Sequence, residues 1–469
     1  LGFSLAMHNA QFKSDLINLY PEAFYRSSDQ HFSFASNIDS TDIKNLPELY
    51  PTELMGKGTR DYLINSLKQG QVSNAQILWH GPFNAFPFEQ QQGVFQAQVQ
   101  IEDGTLKFAP QWPALTELSI NLLFENQSLN MQSQQGRLLD VRLNELSASI
   151  PQLAKNATLV IDASAQASGE QVTELMLQSS IADTLGKTLQ QVQVKGPLTT
   201  KLNLTIPLSG DQLTAKGQVF LSKNQIHLPN LNLELAKATG TLSFTDNQID
   251  APSIEAELLN QKIALAFTGV QQDTAYQTDI KINGDWQVTP LLSPIAPGLV
   301  KYLSGHSHWT ADVSLTLPEE GYQYSATIFS NLSKIDSKLP VPFAKSLQKT
   351  LPLTVSSQGN QQASSIKITL GEQVEFNGNL PHQNMQFSRA HLAIGKSDLV
   401  GMGLGFSVSA NLPELDVTPW YDAINALIGD LPDSENALLE APKRIFINAD
   451  SANIAGLRFT DLEVVTKNT

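Results

Sequence analysis

Between Gly93 and Leu138 the chain alternates apolar and polar residues with a period of two, and that pattern leaves few folds open. Ala97, Val99 and Ile101 share one parity, with Gln98, Gln100 and Glu102 on the other. Asp103-Gly104 predicts a turn, after which Leu106 and Phe108 resume against Thr105 and Lys107. Beyond a loop at 110–113, Leu118, Ile120, Leu122 and Phe124 alternate again, then Leu129 and Met131. Period-two alternation broken by short polar turns predicts an antiparallel meander with one apolar and one wet face. Shifted by 120 residues, the pattern returns. Val219, Leu221, Ile226, Leu228, Leu235, Leu242, Phe244, Ile249 and Leu258 fall opposite Val99, Ile101, Leu106, Phe108, Leu115, Leu122, Phe124, Leu129 and Leu138. Two repeat units, 93–145 and 213–265, are expected on that basis.

The rest of the chain reads mostly as strands. Residues 1–45 give two or three, with a helical turn expected at Lys13–Tyr20. From about 139 onward strands are expected at 141–146, 158–163, 175–179, 192–195 and 202–206, punctuated by Gly186, Gly196-Pro197, Pro207 and Gly210. Three helical interruptions are expected, near 59–69, 290–304 and 419–428. Thr59 and Thr418 read as N-caps, and Gly70 and Gly305 as stops. The first two of these helices are expected to lid part of the apolar face. No Gly/Ser linker or run of like charge marks a boundary, so 1–469 reads as one continuous body. A globular core stops growing near about 300 residues, whereas a sheet extends strand by strand in one dimension.

Composition narrows the function. The chain has 45 acidic against 30 basic residues, a net charge of −15, which argues against nucleic acid and against adsorption on anionic membranes. There is no cysteine, which excludes disulfides and thiolate metal sites but leaves the compartment open. No apolar stretch reaches the length of about 18 residues that a spanning helix needs. The sequence opens in mid-pattern without a signal peptide and is expected to be a piece of a longer chain.

Chemistry-bearing motifs are absent from the reading. His306 and His308 share a parity but have no third ligand nearby, so they read as polar surface rather than a metal site. Gly401-Met402-Gly403-Leu404-Gly405 lacks the Lys-Ser/Thr of a phosphate loop and reads as strand glycines. No paired carboxylates in an apolar setting and no nucleophile elbow occur. Trp79, Trp112, Trp286, Trp309 and Trp420 read as core anchors. The chain is therefore expected not to be an enzyme and to carry no cofactor. What remains is the apolar face, and a trough of Leu, Ile, Val and Phe without polar hooks suits sliding acyl chains.

Longer motifs carry a family likeness. The run YPTELMGKGTRDYLINSLKQGQVSNAQILWHGPFNAFPF and the following GVFQAQVQIEDGTLKFAPQWPALTELSINLLFENQSLNM resemble the YhdP group of AsmA-like envelope proteins of Gram-negative bacteria, which includes TamB, YdbH and AsmA. IDSKLPVPFAKSLQKTLPLTVSSQGN at 335–360 and LPELDVTPWYDAIN at 412–425 resemble it too. The resemblance implies a periplasmic β-groove body, tethered to the inner membrane by an N-terminal anchor outside this sequence, that passes phospholipids toward the outer membrane. It implies no ATPase or catalytic site. Outer-membrane or periplasmic proteins are the other partners expected.

The fold class expected is mainly β: a long twisted antiparallel sheet curled into a U-shaped hydrophobic groove, with a few short helices. Its lipid lining is expected from the in-parity residues of both meanders. These are Val99, Ile101, Leu106, Phe108, Leu118, Ile120, Leu122, Phe124, Leu129 and Met131, then Val219, Leu221, Ile226, Leu228, Leu242, Phe244 and Ile249. Ile280, Ile282, Val313, Leu315, Ile366, Ile368, Phe406 and Val408 complete the set. Two other readings fit the same composition: a periplasmic scaffold binding envelope proteins along its sheet edges, and a β-rich glycan-active enzyme.

Overall fold

A computed structural model describes the chain apart from residues 1, 15–16, 41–42, 44–56, 154–155, 183–185, 187–188, 191, 210–212, 230–232, 273, 295, 319, 396–402, 429–437 and 468–469. The Pro-rich approach to the first expected helix, the turn at Gly210 and Gly401-Met402 thus lie outside the described residues. The protein is mainly β, and its strands belong to a long sheet that is not closed into a barrel. Two compact units divide it: Leu1–Glu234 with Thr239–Gln248, and Leu235–Ala238 with Ile249–Thr469.

The first unit contains β1 (Ser4–Met7), β2 (Phe12–Lys13), β3 (Ile17–Arg26), β4 (His31–Ser40), helix α1 (Lys57–Ser66), β5 (Leu67–Pro82), β6 (Val94–Leu106), β7 (Leu115–Glu125), β8 (Ser128–Leu138), β9 (Val141–Ile150) and β10 (Thr158–Ser168). Helix α2 (Gly169–Leu177), β11 (Gln193–Lys195), β12 (Pro197–Pro207) and β13 (Thr214–Leu228) follow, and β14 (Leu233–Thr245) spans the division. Consecutive strands from β3 through β10 pair antiparallel, then β10 with β12 and β12 with β13.

Three local expectations are corrected here. Asp103-Gly104 is a bulge inside one long strand, not a hairpin turn: the β6–β7 register shifts on both sides of Gly104, and Asp103 takes φ 51°. The 175–179 stretch is the end of helix α2 and its C-cap at Gln178 rather than a strand, because Ser168 and Gln171 close a capping box that starts α2 directly after β10. Lys13–Tyr20 supplies the ends of β2 and β3, which pair Phe12 with Leu19, rather than a helical turn.

The 120-residue spacing extends to the backbone. Asp103, Glu117, Asn126 and Leu139 all have positive φ, and so do Lys223, Lys237, Asp246 and Leu259. The cap recurs as well. Phe95 N–H donates to Asn126 Oδ1 at 2.9 Å, and Ala215 N–H donates to Asp246 Oδ1 at 2.8 Å.

The second unit contains β15 (Gln248–Leu258), β16 (Gln261–Gln272), β17 (Ala275–Gln287), helix α3 (Val288–Leu292), a 3₁₀ turn at Pro297–Leu299, β18 (Leu303–Leu317), β19 (Gln323–Ser330) and β20 (Ile335–Ser337). It continues with β21 (Leu353–Asn360), β22 (Ala363–Leu370), β23 (Val374–Pro381), β24 (Arg389–Gly395), β25 (Gly405–Asp416), helix α4 (Val417–Ile428), β26 (Arg444–Ile454) and β27 (Leu457–Lys467). Antiparallel pairing runs from β16 through β19, on to β21, and through β24. The antiparallel expectation fails at one place: β24–β25 and β25–β26 are parallel. The second of these pairings is joined by a crossover through α4, as parallel neighbours require.

Candidate functional site

In each unit the apolar side of the sheet is the feature on which function can be built, and the two units treat it differently. In the first, Ile101, Leu106, Phe108, Leu118, Ile120, Leu122, Leu129 and Met131 are buried in one continuous core, with Val99 and Phe124 packed against it. Tyr62 of α1, and Val172, Leu175 and Met176 of α2, press onto the same core together with Trp112. Burial pushes the Tyr62 phenol up to about 12. In this structure these positions pack in one closed core with Trp112 and with side chains of α1 and α2. Of the second meander, Leu221 is buried and Val219, Ile226, Leu228, Leu242, Phe244 and Ile249 are half-buried.

In the second unit the alternation stays open. Residues directly opposite in neighbouring strands share a face, so the register can be followed from strand to strand. Leu265 faces Ile282, Ile282 faces Ala311, Ala311 faces Ile328 and Ile328 faces Val355. The line continues through Ile368, Phe376, Leu392, Val408 and Ile445. Ten strands thus contribute ten apolar side chains in one row across the strands. At about 4.8 Å per strand the row is roughly 43 Å long. Its members are half-buried except Ala311, which is buried, and Ile328, which is 37% exposed.

Flanking rows are also largely apolar. Phe267, Ile280, Val313 and Ala326 lie on one side, and Leu353, Leu370, Val374, Ile394, Ala410 and Ile447 on the other. On the opposite face the matching row is Ala266, Lys281, Asp312, Thr327, Ser356, Lys367, Asn377, His391, Ser407 and Arg444. One face is oily and the other wet.

Aromatic side chains and helices border the apolar rows. Trp309 sits opposite Gly284 and meets Trp286 edge-on at 4.8 Å. A Cβ on Gly284 would lie 2.8 Å from Trp309 Nε1, so only glycine lets the indole lie down there. Helix α4 packs on Ile394, Ala410, Leu412 and Ala449 through Val417 and Trp420, and Trp420 meets Phe343 at 5.8 Å. It also touches the 3₁₀ turn at Pro297–Leu299.

The structure thus brings Ile280, Ile282, Val313, Leu315, Ile366, Ile368, Phe406 and Val408 onto one face. It adds Leu265, Ile328, Val355, Phe376, Leu392 and Ile445, which occupy the same parity of their strands and were legible by that rule. Among the described residues no three His, Asp or Glu side chains gather as a metal site. His306 instead pairs with Asp285 at 2.5 Å. No described helix is long and apolar enough to cross a membrane.

The sequence model of the YhdP protein family matches residues 2–469. The chain belongs to the YhdP family. A family member named intermembrane phospholipid transporter YhdP, from Escherichia coli (strain K12), is 28% identical over 474 residues, which cover 100% of this chain and 37% of that relative. The chain therefore spans little more than a third of the length of its YhdP relative. No solved structure matches it.

Proposed function

We propose that this chain is a segment of a bridge-like lipid-transfer protein of a Gram-negative envelope. It carries phospholipid acyl chains between inner and outer membranes along the apolar face of its second unit. The observation that supports this reading most is the ten-residue row from Leu265 to Ile445, which runs across the strands without a charged interruption. Each methylene laid on such a face contributes up to about 0.8 kcal/mol, and similar rungs let the tail move without losing its environment. Head groups remain in water, the body lies in the periplasm, and an anchor elsewhere in the full protein tethers it to the inner membrane. The relative's phospholipid transport agrees with this cargo.

A charge on the row tests it. Ile368→Asp places a carboxylate on a half-buried, non-core position, so the fold is expected to persist by circular dichroism. Lipid carried through purification, read by native mass spectrometry, should fall by on the order of tenfold or more. A photo-crosslinker at Val355 should capture lipid. Undiminished loading of folded Ile368→Asp, or protein adducts alone from Val355, would overturn the conduit.

A further inference from the structure

The apolar rows of the second unit turn polar at one border. The row that holds Phe267, Ile280, Val313 and Ala326 meets Ser357 next, and then Ile366. The row beyond it runs through Leu315, Tyr324, Gly359, Ser364 and Leu380. Tyr324, Ser357 and Ser364 therefore share the oily face with Ile328, Val355 and Ile368, two or four residues along the same strands. At about 3.3 Å per residue they stand roughly 7–13 Å from the ten-residue row.

Their side chains form one hydrogen-bonded chain. Tyr324 Oη lies 2.8 Å from Ser357 Oγ and 2.6 Å from Ser364 Oγ, and Ser364 Oγ lies 2.7 Å from His382 Nε2. His382 follows β23, with its Nδ1 3.0 Å from the Gln361 carbonyl. A Cβ at position 359 would lie 3.0 Å from Ser364 Oγ and 2.4 Å from the Ala363 carbonyl, so glycine keeps the crossing from Tyr324 to Ser364 open.

The direction of this chain is forced. A carbonyl can only accept, so His382 Nδ1 carries the hydrogen, and Nε2 of the neutral ring accepts from the Ser364 hydroxyl. Each remaining contact needs a hydrogen of its own, so Tyr324 donates to Ser364 and Ser357 donates to Tyr324. Every donor is then spent in the direction of Gln361. Ser364 is buried, and its oxygen is already served by Tyr324. The open end is the half-buried Ser357 oxygen, whose hydrogen-bond partner among the described residues is Tyr324 alone. Its lone pairs are unclaimed, and donating into an aligned chain makes it a better acceptor.

We propose that Ser357, polarised by Tyr324, Ser364 and His382, is a head-group selector that accepts a hydrogen bond from an N–H or O–H of a lipid whose tails lie on the adjoining apolar rows. The proposal rests on the conduit reading above. It gives the face a preference among head groups that its Leu, Ile, Val and Phe side chains cannot supply, and it uses no charge on the protein.

The test is a competition on the whole chain, read by native mass spectrometry. Phosphatidylethanolamine, whose ammonium carries N–H donors, competes with phosphatidylcholine of matched chains, whose quaternary nitrogen carries none. The native protein is expected to load the first in about fivefold excess or more. Folded Ser357→Ala should bring the ratio close to one with phosphatidylcholine loading unchanged, while Ser356→Ala, on the wet face, should leave the ratio as it is. An unchanged ratio in Ser357→Ala overturns the selector, and so does an equal loss in Ser356→Ala. Free ethanolamine competing as well as the lipid would assign Ser357 to a small amine, which also overturns it. Release of fatty acid that stops in Ser364→Ala would make Ser364 a nucleophile with His382 as its base, and overturn the selector in favour of an esterase. Equal loading of both lipids by the native protein removes the selector and leaves the conduit, whereas loading of neither removes the conduit as well.

Discussion

Leu118 and Leu129 are closed to solvent, while Ile328, at an equivalent in-parity position of another strand, exposes 37% of its surface. The difference is set by what lies above each residue, and it separates two mutational outcomes. Leu118→Ala opens a cavity in the first unit's core and is expected to cost about 2–5 kcal/mol in urea melts. Ile328→Ala removes contacts that water already half replaces, and should cost about 1 kcal/mol or less. Parity in the sequence indicated which residues share a face. Whether that face is roofed depends on α1, α2 and the 107–114 loop, which pack on it from elsewhere in the chain, and period-two alternation carries no record of them. His391 offers a different test. It is buried on the polar face, within 2.8 Å of Ser407 Oγ and 2.9 Å of Ser409 Oγ. Burial, helped by nearby Arg444, holds its pKa below the ordinary 6.5. The unfolded chain then takes up a proton that the folded chain resists. Stability should be complete above pH 6.5 and fall as the pH drops from there toward the depressed folded value. His391→Gln should flatten that slope in thermal melts taken across this range.

At the scale of elements, the 120-residue recurrence is the strongest local signal. Strands β6–β9 and β13–β16 share four positive-φ positions and one side-chain cap. We propose that 93–145 and 213–265 are two copies of one structural unit. Exchanging the caps, Asn126→Asp or Asp246→Asn, should then be nearly silent. Asn126→Ala and Asp246→Ala should each cost on the order of 1 kcal/mol by denaturant melts, since each leaves a backbone N–H without its acceptor. Asp103-Gly104 misled because that dipeptide between alternating runs ordinarily turns a hairpin. Here the strand continues through it, and the register shifts on both sides of Gly104 take up the extra residue. Helix α2 was detectable: Ser168 and Gln171 stand at capping-box spacing before Val172, Leu175 and Met176. Ser168→Ala should remove the hydroxyl that accepts from the Gln171 N–H, leave the Gln171 side chain on the Ser168 N–H, and cost about 1 kcal/mol.

For the whole molecule, the mainly β class and the separation of oily from wet faces were legible, because antiparallel pairing preserves parity from strand to strand. The parallel step at β24–β26 was legible only in part: the helix expected near 419–428 is what a crossover from β25 to β26 needs, but nothing local marks the parallel return from β24 to β25. If tails lie on the ten-residue row, affinity should follow their length. Adding two carbons to each chain of a matched phospholipid series should tighten loading by several-fold, measured by competition in native mass spectrometry. The row has a kinetic consequence too. Its rungs recur at about 4.8 Å and are chemically alike, so a hydrocarbon advancing by one rung exchanges its surroundings for near copies of them. If lipid tails ride on it as proposed, such a surface behaves as a bearing rather than a motor: it lowers friction along its axis and imparts no heading, so net traffic would be decided by supply and removal at its ends.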